Sequence, residues 1–199
     1  MMSRRKHQFC HTRLRDVALL GLAMVASLAA ANLVSGEERT PPQPDGYRLE
    51  NYRAPTPSSL EGARTIDTVE AARQWRDKSA VFIDVMPQAP RPANLPAGTI
   101  WRDKPRFSIP GSAWLPDTGY GELAAATEAY LKNGLATLAG GDRAKPVVIY
   151  CLRDCWMSWN AAKRAVAWGY THVIWYPEGT DGWQAADLPL EPAQPVPRE

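Results

Sequence analysis

The chain has 199 residues, 45% of them hydrophobic, with 23 Lys/Arg against 21 Asp/Glu and a formal net charge of +2. That length suits one ordinary α/β domain, and the apolar share is enough for a packed core. Charges this balanced exclude the basic field that recruits nucleic acid or anionic lipid, and the small excess sits at the amino terminus.

Arg4, Arg5, Lys6, Arg13 and Arg15 precede an almost uncharged run from Val17 to Val34. This pattern predicts a secretory signal over residues 1–36. Its apolar stretch, VALLGLAMVASLAAA, is about fifteen residues long, short of the roughly twenty that cross a bilayer as a stable helix. Cleavage is therefore expected near residues 31–36, after Ala31 or after Gly36, with an uncleaved anchor as the alternative. Cys10 lies before the apolar run, so a lipid anchor on it is not indicated.

Removing residues 1–36 takes away five of the 23 Lys/Arg and one of the 21 Asp/Glu, leaving 18 against 20 and a net charge of about −2. A nucleic-acid partner is not expected, and the membrane is met only during export. The cut also removes His7, Cys10 and His11, leaving Cys151, Cys155 and His172. Neither a zinc ligand set at recognisable spacing nor a C-x-x-C-H haem site remains, so no metal is expected.

Residues 37–64 are rich in proline and polar residues, which disfavours regular structure. They read as an extended lead-in that wraps the domain through Tyr47 and Tyr52. From residue 65 to 187 the pattern becomes that of a folded domain. TIDTVEAARQWRD predicts a short strand and then a helix capped by Asp67 or Thr68. VFIDVMP, residues 81–87, is a strand buried on both faces, and Asp84 near its end needs polar partners.

Residues 87–110 are proline-rich and irregular, either a functional flap or a loose insertion. IPGSAWLP gives a turn and a short strand, and ELAAATEAYLKNGL gives a helix ending near Asn133 or Gly134. KPVVIYC, residues 145–151, is the clearest buried strand. SWNAAKRAVAWGY follows as a helix with Ser158 as N-cap and Gly169 as its stop, then HVIWY as a strand and EGTDGW as a glycine-bearing loop closing a last short helix. The tail, residues 188–199, is proline-rich and extended. Strands alternating with helices imply an α/β fold with a parallel central sheet and helices on both faces.

Chemistry concentrates between Cys151 and Ser158. A cysteine at the end of a buried strand, shortly before a helix, sits where loop N–H groups and the helix N-terminus favour thiolate over thiol. Leu152, Arg153, Asp154, Trp156, Met157 and Ser158 are the candidate anion-binding loop residues. Arg153 adds a positive charge beside the loop and Asp154 opposes it. The competing reading makes Cys151 an inert buried hydrophobe.

Several of these strings resemble the rhodanese-like domain over roughly residues 65–187. FIDV (82–85) matches the strand with an acidic end, and IPGSAWLP (109–116) matches the family's I-P-G-A-x-x-x-P turn. VVIYC matches the strand delivering the nucleophile, and WGYTHVIWYPEGTDGW (168–183) matches the closing segment. The loop departs from the family's C-x-x-G-x-R-S: counted from Cys151, Ser158 falls one place late. Met157 stands where rhodanese-like phosphatases carry their phosphate-gripping arginine, so phosphatase activity is not expected.

The string C-L-R-D-C-W-M-S-W-N-A-A-K-R and the lead-in GYRLENYRAPTP resemble a narrower group, the exported pyrroloquinoline quinone (PQQ)-dependent catabolism-associated proteins with a CXXCW or CxxxCW motif. That resemblance implies a periplasmic location and an association with PQQ-dependent alcohol oxidation, with a PQQ-dependent dehydrogenase system as a partner. The family implies that Cys151 is the nucleophile of a sulfurtransferase or thiol-redox reaction, acting on a small sulfur compound or thiol acceptor.

Cys155 lies within disulfide reach, since a turn-like path brings residues i and i+4 within about 6 Å and a bridge needs Cα separations of about 4.4–6.8 Å. Two readings stay open: a resolving partner for a persulfide or sulfenate, and a permanent disulfide bracing the loop. Asp84 is read as loop support, accepting the loop's hydrogen bonds. Trp156 and Trp159 either cover the site or stack on a planar cofactor such as a quinone.

Overall fold

The structure is a computed structural model and describes residues 40–198; the expected signal and its cleavage region lie outside them. Among the described residues seven strands form: β1 (Arg64–Thr65), β2 (Val81–Asp84), β3 (Arg106–Ser108), β4 (Ala113–Trp114), β5 (Val147–Tyr150), β6 (Val173–Tyr176) and β7 (Glu191–Ala193). Four helices accompany them: α1 (Thr68–Arg76), α2 (Ala125–Leu138), α3 (Trp156–Ala167) and α4 (Gly179–Ala185). Strands β1, β6, β5, β2 and β4 make one all-parallel sheet in that order.

Alternation along the strands divides the core in two. Ile83, Val147, Ile149, Val173 and Trp175 pack with residues of α2 and α3, whereas Phe82, Val148, Tyr150, Ile174 and Tyr176 pack with residues of α1 and α4. A sheet covered on both faces explains why its strands read as continuous apolar runs. Cys151 takes the next place in the first set, which carries its side chain to the α3 side of the sheet at the carboxyl end of β5.

The expected α1 is present, with Asp67 as N-cap accepting the Glu70 N–H at 2.9 Å. Helix α2 runs four residues past Gly134 instead of stopping there. Gly134 serves close packing: a Cβ there would lie 2.9 Å from both methyl carbons of Leu115. The stop comes from Gly140 and Gly141, both at positive φ, where glycine has no steric penalty.

Helix α3 begins at Trp156, earlier than the Ser158 cap implies, with Cys155 at the N-cap position and no side-chain cap. Ser158 lies within the first turn, donating to the Cys155 carbonyl at 3.0 Å and accepting from Trp175 Nε1 at 3.0 Å. Its hydroxyl is thereby committed to the core. At the other end of α3, Gly169 adopts φ +84° after the Trp168 cap, as expected.

The proline-rich segments at 87–110 and 188–199 are not structureless throughout. Arg106–Ser108 and Glu191–Ala193 pair as a short antiparallel ribbon, Phe107 opposite Pro192. Such long-range pairing leaves no periodic trace in two- or three-residue strands.

Candidate active site

Cys151 and Cys155 are both free thiols, and their Sγ atoms are 2.7 Å apart. A disulfide bond is about 2.05 Å, so the pair is placed for one to form on two-electron oxidation. Both residues are buried, at 0% and 3% exposure. Cys151 Sγ also lies 3.6 Å from Met86 Sδ.

Sequence position predicts a thiolate at Cys151, but the structure divides the two thiols the other way. Burial pushes the Cys151 thiol well above its ordinary range, and its contact with Cys155 raises it further. Cys155 is lowered to about 7, first by its contact with Cys151, against burial, and then by backbone hydrogen bonding from Met157 and Leu152. The pair therefore holds one proton readily and carries its negative charge on Cys155, the residue at the start of α3.

Two further amides of the loop have internal partners. The Arg153 N–H donates to Asp181 Oδ2 at 3.1 Å, and the Trp156 N–H donates to the Tyr52 carbonyl at 2.9 Å. Arg153 and Asp154 have exposed side chains, with Asp154 at φ +53° in the turn. Leu152 is half-buried, and Trp156, Met157 and Ser158 are buried in the first turn of α3. The Leu152 and Met157 amides thus serve the second sulfur, and those of Arg153 and Trp156 are committed elsewhere.

The lead-in wraps α3, as its tyrosines suggest. Asn160 accepts the Arg48 N–H at 2.9 Å and donates to the Arg48 and Gly119 carbonyls at 2.9 and 3.0 Å. Trp156 Nε1 donates to the Pro55 carbonyl and Trp159 Nε1 to the Ser59 carbonyl. Arg48 covers the Trp156 ring and Lys163 covers that of Trp159, with the charged groups 5.1 and 4.8 Å from the ring centroids. Neither buried indole has an open face, so the two tryptophans do not fit a stacking site for PQQ or another quinone.

Asp84 supports a different part of the site from the one expected. Its carboxylate accepts from Arg106 Nε at 2.7 Å, Ser108 Oγ at 2.6 Å and the Met86 N–H at 2.9 Å, and from no N–H of the cysteine loop. Burial raises its pKa despite the opposing pull of Arg106. The carboxylate ties the β3 ribbon and the Met86 turn to the end of β2. Beside them opens a cleft of about 580 Å³ whose walls include Met86, Arg106, Phe107, Trp114, Leu152 and Leu190. Met86 and Leu152 line this cleft, neither cysteine does, and Met86 touches the Cys151 sulfur.

On the far side of the loop, Gly179 approaches the Cys151 carbonyl so closely that a Cβ would lie 2.3 Å from its oxygen. The Thr180 N–H donates to that same oxygen at 3.0 Å. The glycine-bearing segment before α4 therefore fixes the backbone of Cys151.

The rhodanese-like domain family matches residues 68–186, more than half of the chain. The chain belongs to the rhodanese-like family. Among solved structures it is similar to the polysulfide-sulfur transferase homodimer of Wolinella succinogenes, at 18% identity and a TM-score of 0.41, over 65% of this chain and 79% of that one. No curated protein matches the chain.

Within this rhodanese-like domain, sequence reasoning brings Cys151 and Cys155 together but misses Met86, Arg106, Asp181 and the bond from the Trp156 N–H to the Tyr52 carbonyl. Met86 carries a signal, since it follows the acidic strand end directly. Asp84 announces a need for polar partners, yet Arg102, Lys104 and Arg106 are equal candidates until the ribbon forms. Asp181 and the Tyr52 carbonyl have no signal, because their role comes from chain segments meeting in space. Among the described residues, no group of three or more His, Cys, Asp or Glu side chains is placed to hold a metal ion.

Proposed function

We propose that the chain is an exported thiol protein whose Cys151 acts as the nucleophile and Cys155 as its proton acceptor and resolving partner, in sulfur transfer or thiol redox. The observation that carries this reading is the 2.7 Å contact between the two sulfurs, with Cys155 the more acidic thiol. As Cys151 S–H passes its proton to the Cys155 thiolate, a Cys151 thiolate forms beside Met86 and the cleft. No histidine base is required.

The Cys151 thiolate attacks the outer sulfur of a donor. A Cys151 persulfide forms as the donor's sulfur–sulfur bond breaks, and the leaving group departs with the electron pair. A thiolate acceptor then attacks the outer sulfur, takes it away as its own persulfide, and regenerates the Cys151 thiolate. Alternatively, Cys155 attacks the inner sulfur, releasing hydrosulfide and leaving a Cys151–Cys155 disulfide, which an external dithiol must reduce.

Export to the periplasm rests on the basic and apolar leader. Association with PQQ-dependent alcohol oxidation and a PQQ-dependent dehydrogenase rests on the C-x3-C-W string and lead-in. Because the tryptophan faces are covered, such an association would run through protein contact or a shared sulfur compound. A second reading, an accessory module without turnover, is favoured by the burial of both thiols.

The test is thiosulfate-to-cyanide sulfur transfer with the reduced parent, Cys151→Ser and Cys155→Ser, alongside thiol titration before and after reduction. The reading expects turnover in the reduced parent and its loss in Cys151→Ser. Thiols that never react, in a folded and reduced parent, would support the accessory module.

A further inference from the structure

The cleft beside Cys151 differs from what a small inorganic oxyanion needs. Its volume of about 580 Å³ lies within the range of roughly 300–1,000 Å³ that holds organic ligands, far beyond the size of thiosulfate. Its walls include Met86, Pro87, Phe107, Trp114, Leu152 and Leu190. Phe107 is 47% exposed, a large aromatic ring held at the cleft and not in the core.

Charge points the same way. Arg106 on the wall is already paired with Asp84 at 2.7 Å. Asp181, another wall residue, places a carboxylate on the Arg153 N–H. Lys104 is the other cation on the wall. A dianion entering here meets one compensated cation, one further cation and a carboxylate, and the Arg153 and Trp156 amides of the cysteine loop are already bonded elsewhere. An apolar or aromatic body instead gains by leaving water against Phe107, Trp114 and Leu190.

We propose that this cleft takes an organic sulfane-sulfur donor, with an aromatic or alkyl body and at most one negative charge, in preference to inorganic thiosulfate. The proposal rests on the reading of Cys151 as a sulfur acceptor. With benzenethiosulfonate, the Cys151 thiolate attacks the terminal sulfur; the persulfide bond forms as the donor's sulfur–sulfur bond breaks. Benzenesulfinate leaves with the electron pair, and the proton displaced from Cys151 resides on Cys155. No outside oxidant or reductant enters this step. Met86, the flexible side chain between cleft and sulfur, moves to admit the donor.

The experiment exposes the reduced protein to matched series of benzenethiosulfonate and thiosulfate. It follows the gain of one sulfur atom on Cys151 by intact and peptide mass spectrometry. Half-loading is expected at a benzenethiosulfonate concentration lower by about tenfold or more, the factor that burying most of a phenyl ring provides. Phe107→Ala and Leu190→Ala should each move the ratio of the two concentrations toward one. Equal loading, or stronger loading by thiosulfate, overturns the proposal and leaves the sulfur-transfer reading standing. Failure of both donors to add sulfur to the folded, reduced protein overturns both.

Discussion

Cys151 Sγ and Cys155 Sγ meet at 2.7 Å, and this contact makes the second cysteine of the loop, not the first, the more acidic. The contact raises Cys151 and lowers Cys155 together, which is the behaviour of two sites sharing one proton. Removing the Cys151 thiol should undo it. In Cys151→Ala, the pH at which Cys155 reaches half its alkylation rate should rise from about 7 toward the ordinary thiol range. A midpoint that stays put would assign the shift to the Met157 and Leu152 amides instead.

The same split fixes the pH dependence of folding for the reduced protein. Cys155 is lowered from the ordinary 9.0 to about 7, so its ionisation favours the native state above 9 and that contribution is lost as pH falls through about 7. Cys151 is raised, so its contribution acts oppositely and is lost at pH above the ordinary thiol value. Urea midpoints of the reduced protein should therefore rise between pH 7 and 9 relative to a Cys151→Ala/Cys155→Ala double variant. A flat difference across that window contradicts the assignment.

Arg106→Ala should leave the Asp84 carboxylate buried without its cation. Breaking a buried pair in this way costs about 3 kcal/mol or more near neutral pH. Loss of Arg106 also removes a group that lowers the Asp84 pKa, so protonation of the carboxyl becomes easier. The destabilisation should shrink as pH is lowered and Asp84 becomes neutral. Chemical denaturation at neutral and mildly acidic pH measures this directly, and a pH-independent loss would show that Arg106 acts by packing alone.

Asn160 holds the lead-in to α3 through hydrogen bonds to both the N–H and the carbonyl of Arg48. Asn160→Ala should cost about 2 kcal/mol by leaving buried polar groups without partners. It should also open residues 40–60 to proteolysis before the rest of the chain. Limited proteolysis with mass mapping checks this: cleavage sites unchanged from the parent would mean that the tryptophan and Lys163 contacts suffice.

Gly179→Ala places a methyl group where the Cys151 carbonyl oxygen lies 2.3 Å away, at a backbone φ of +51°. Left-handed backbone and overpacking together predict a loss of about 3 kcal/mol. Because the clash falls on the backbone of Cys151, the alkylation profile of the thiol pair should shift as well. A thermal melt and that profile, measured on one preparation, separate a local change at the loop from general loss of stability.

The parallel sheet was legible because four-residue runs such as VVIY and VIWY have apolar side chains on both parities, which only a strand buried on two faces requires. The cysteine pair was legible because four-residue spacing across a turn constrains distance before any packing is known. The ribbon of β3 and β7 was not, since its partners lie more than 80 positions apart and are too short to show a period.

By itself, then, the sequence determined the α/β order, the placement of Cys151 at a strand end, the nearness of Cys155 and the need of Asp84 for partners. Tertiary structure alone decided which thiol carries the charge, that Arg106 answers Asp84, and that the lead-in covers Trp156 and Trp159. The physical reason is that acidity, ion pairing and ring exposure depend on distances and desolvation between segments remote in the chain, whereas strand and turn preferences are set by neighbours.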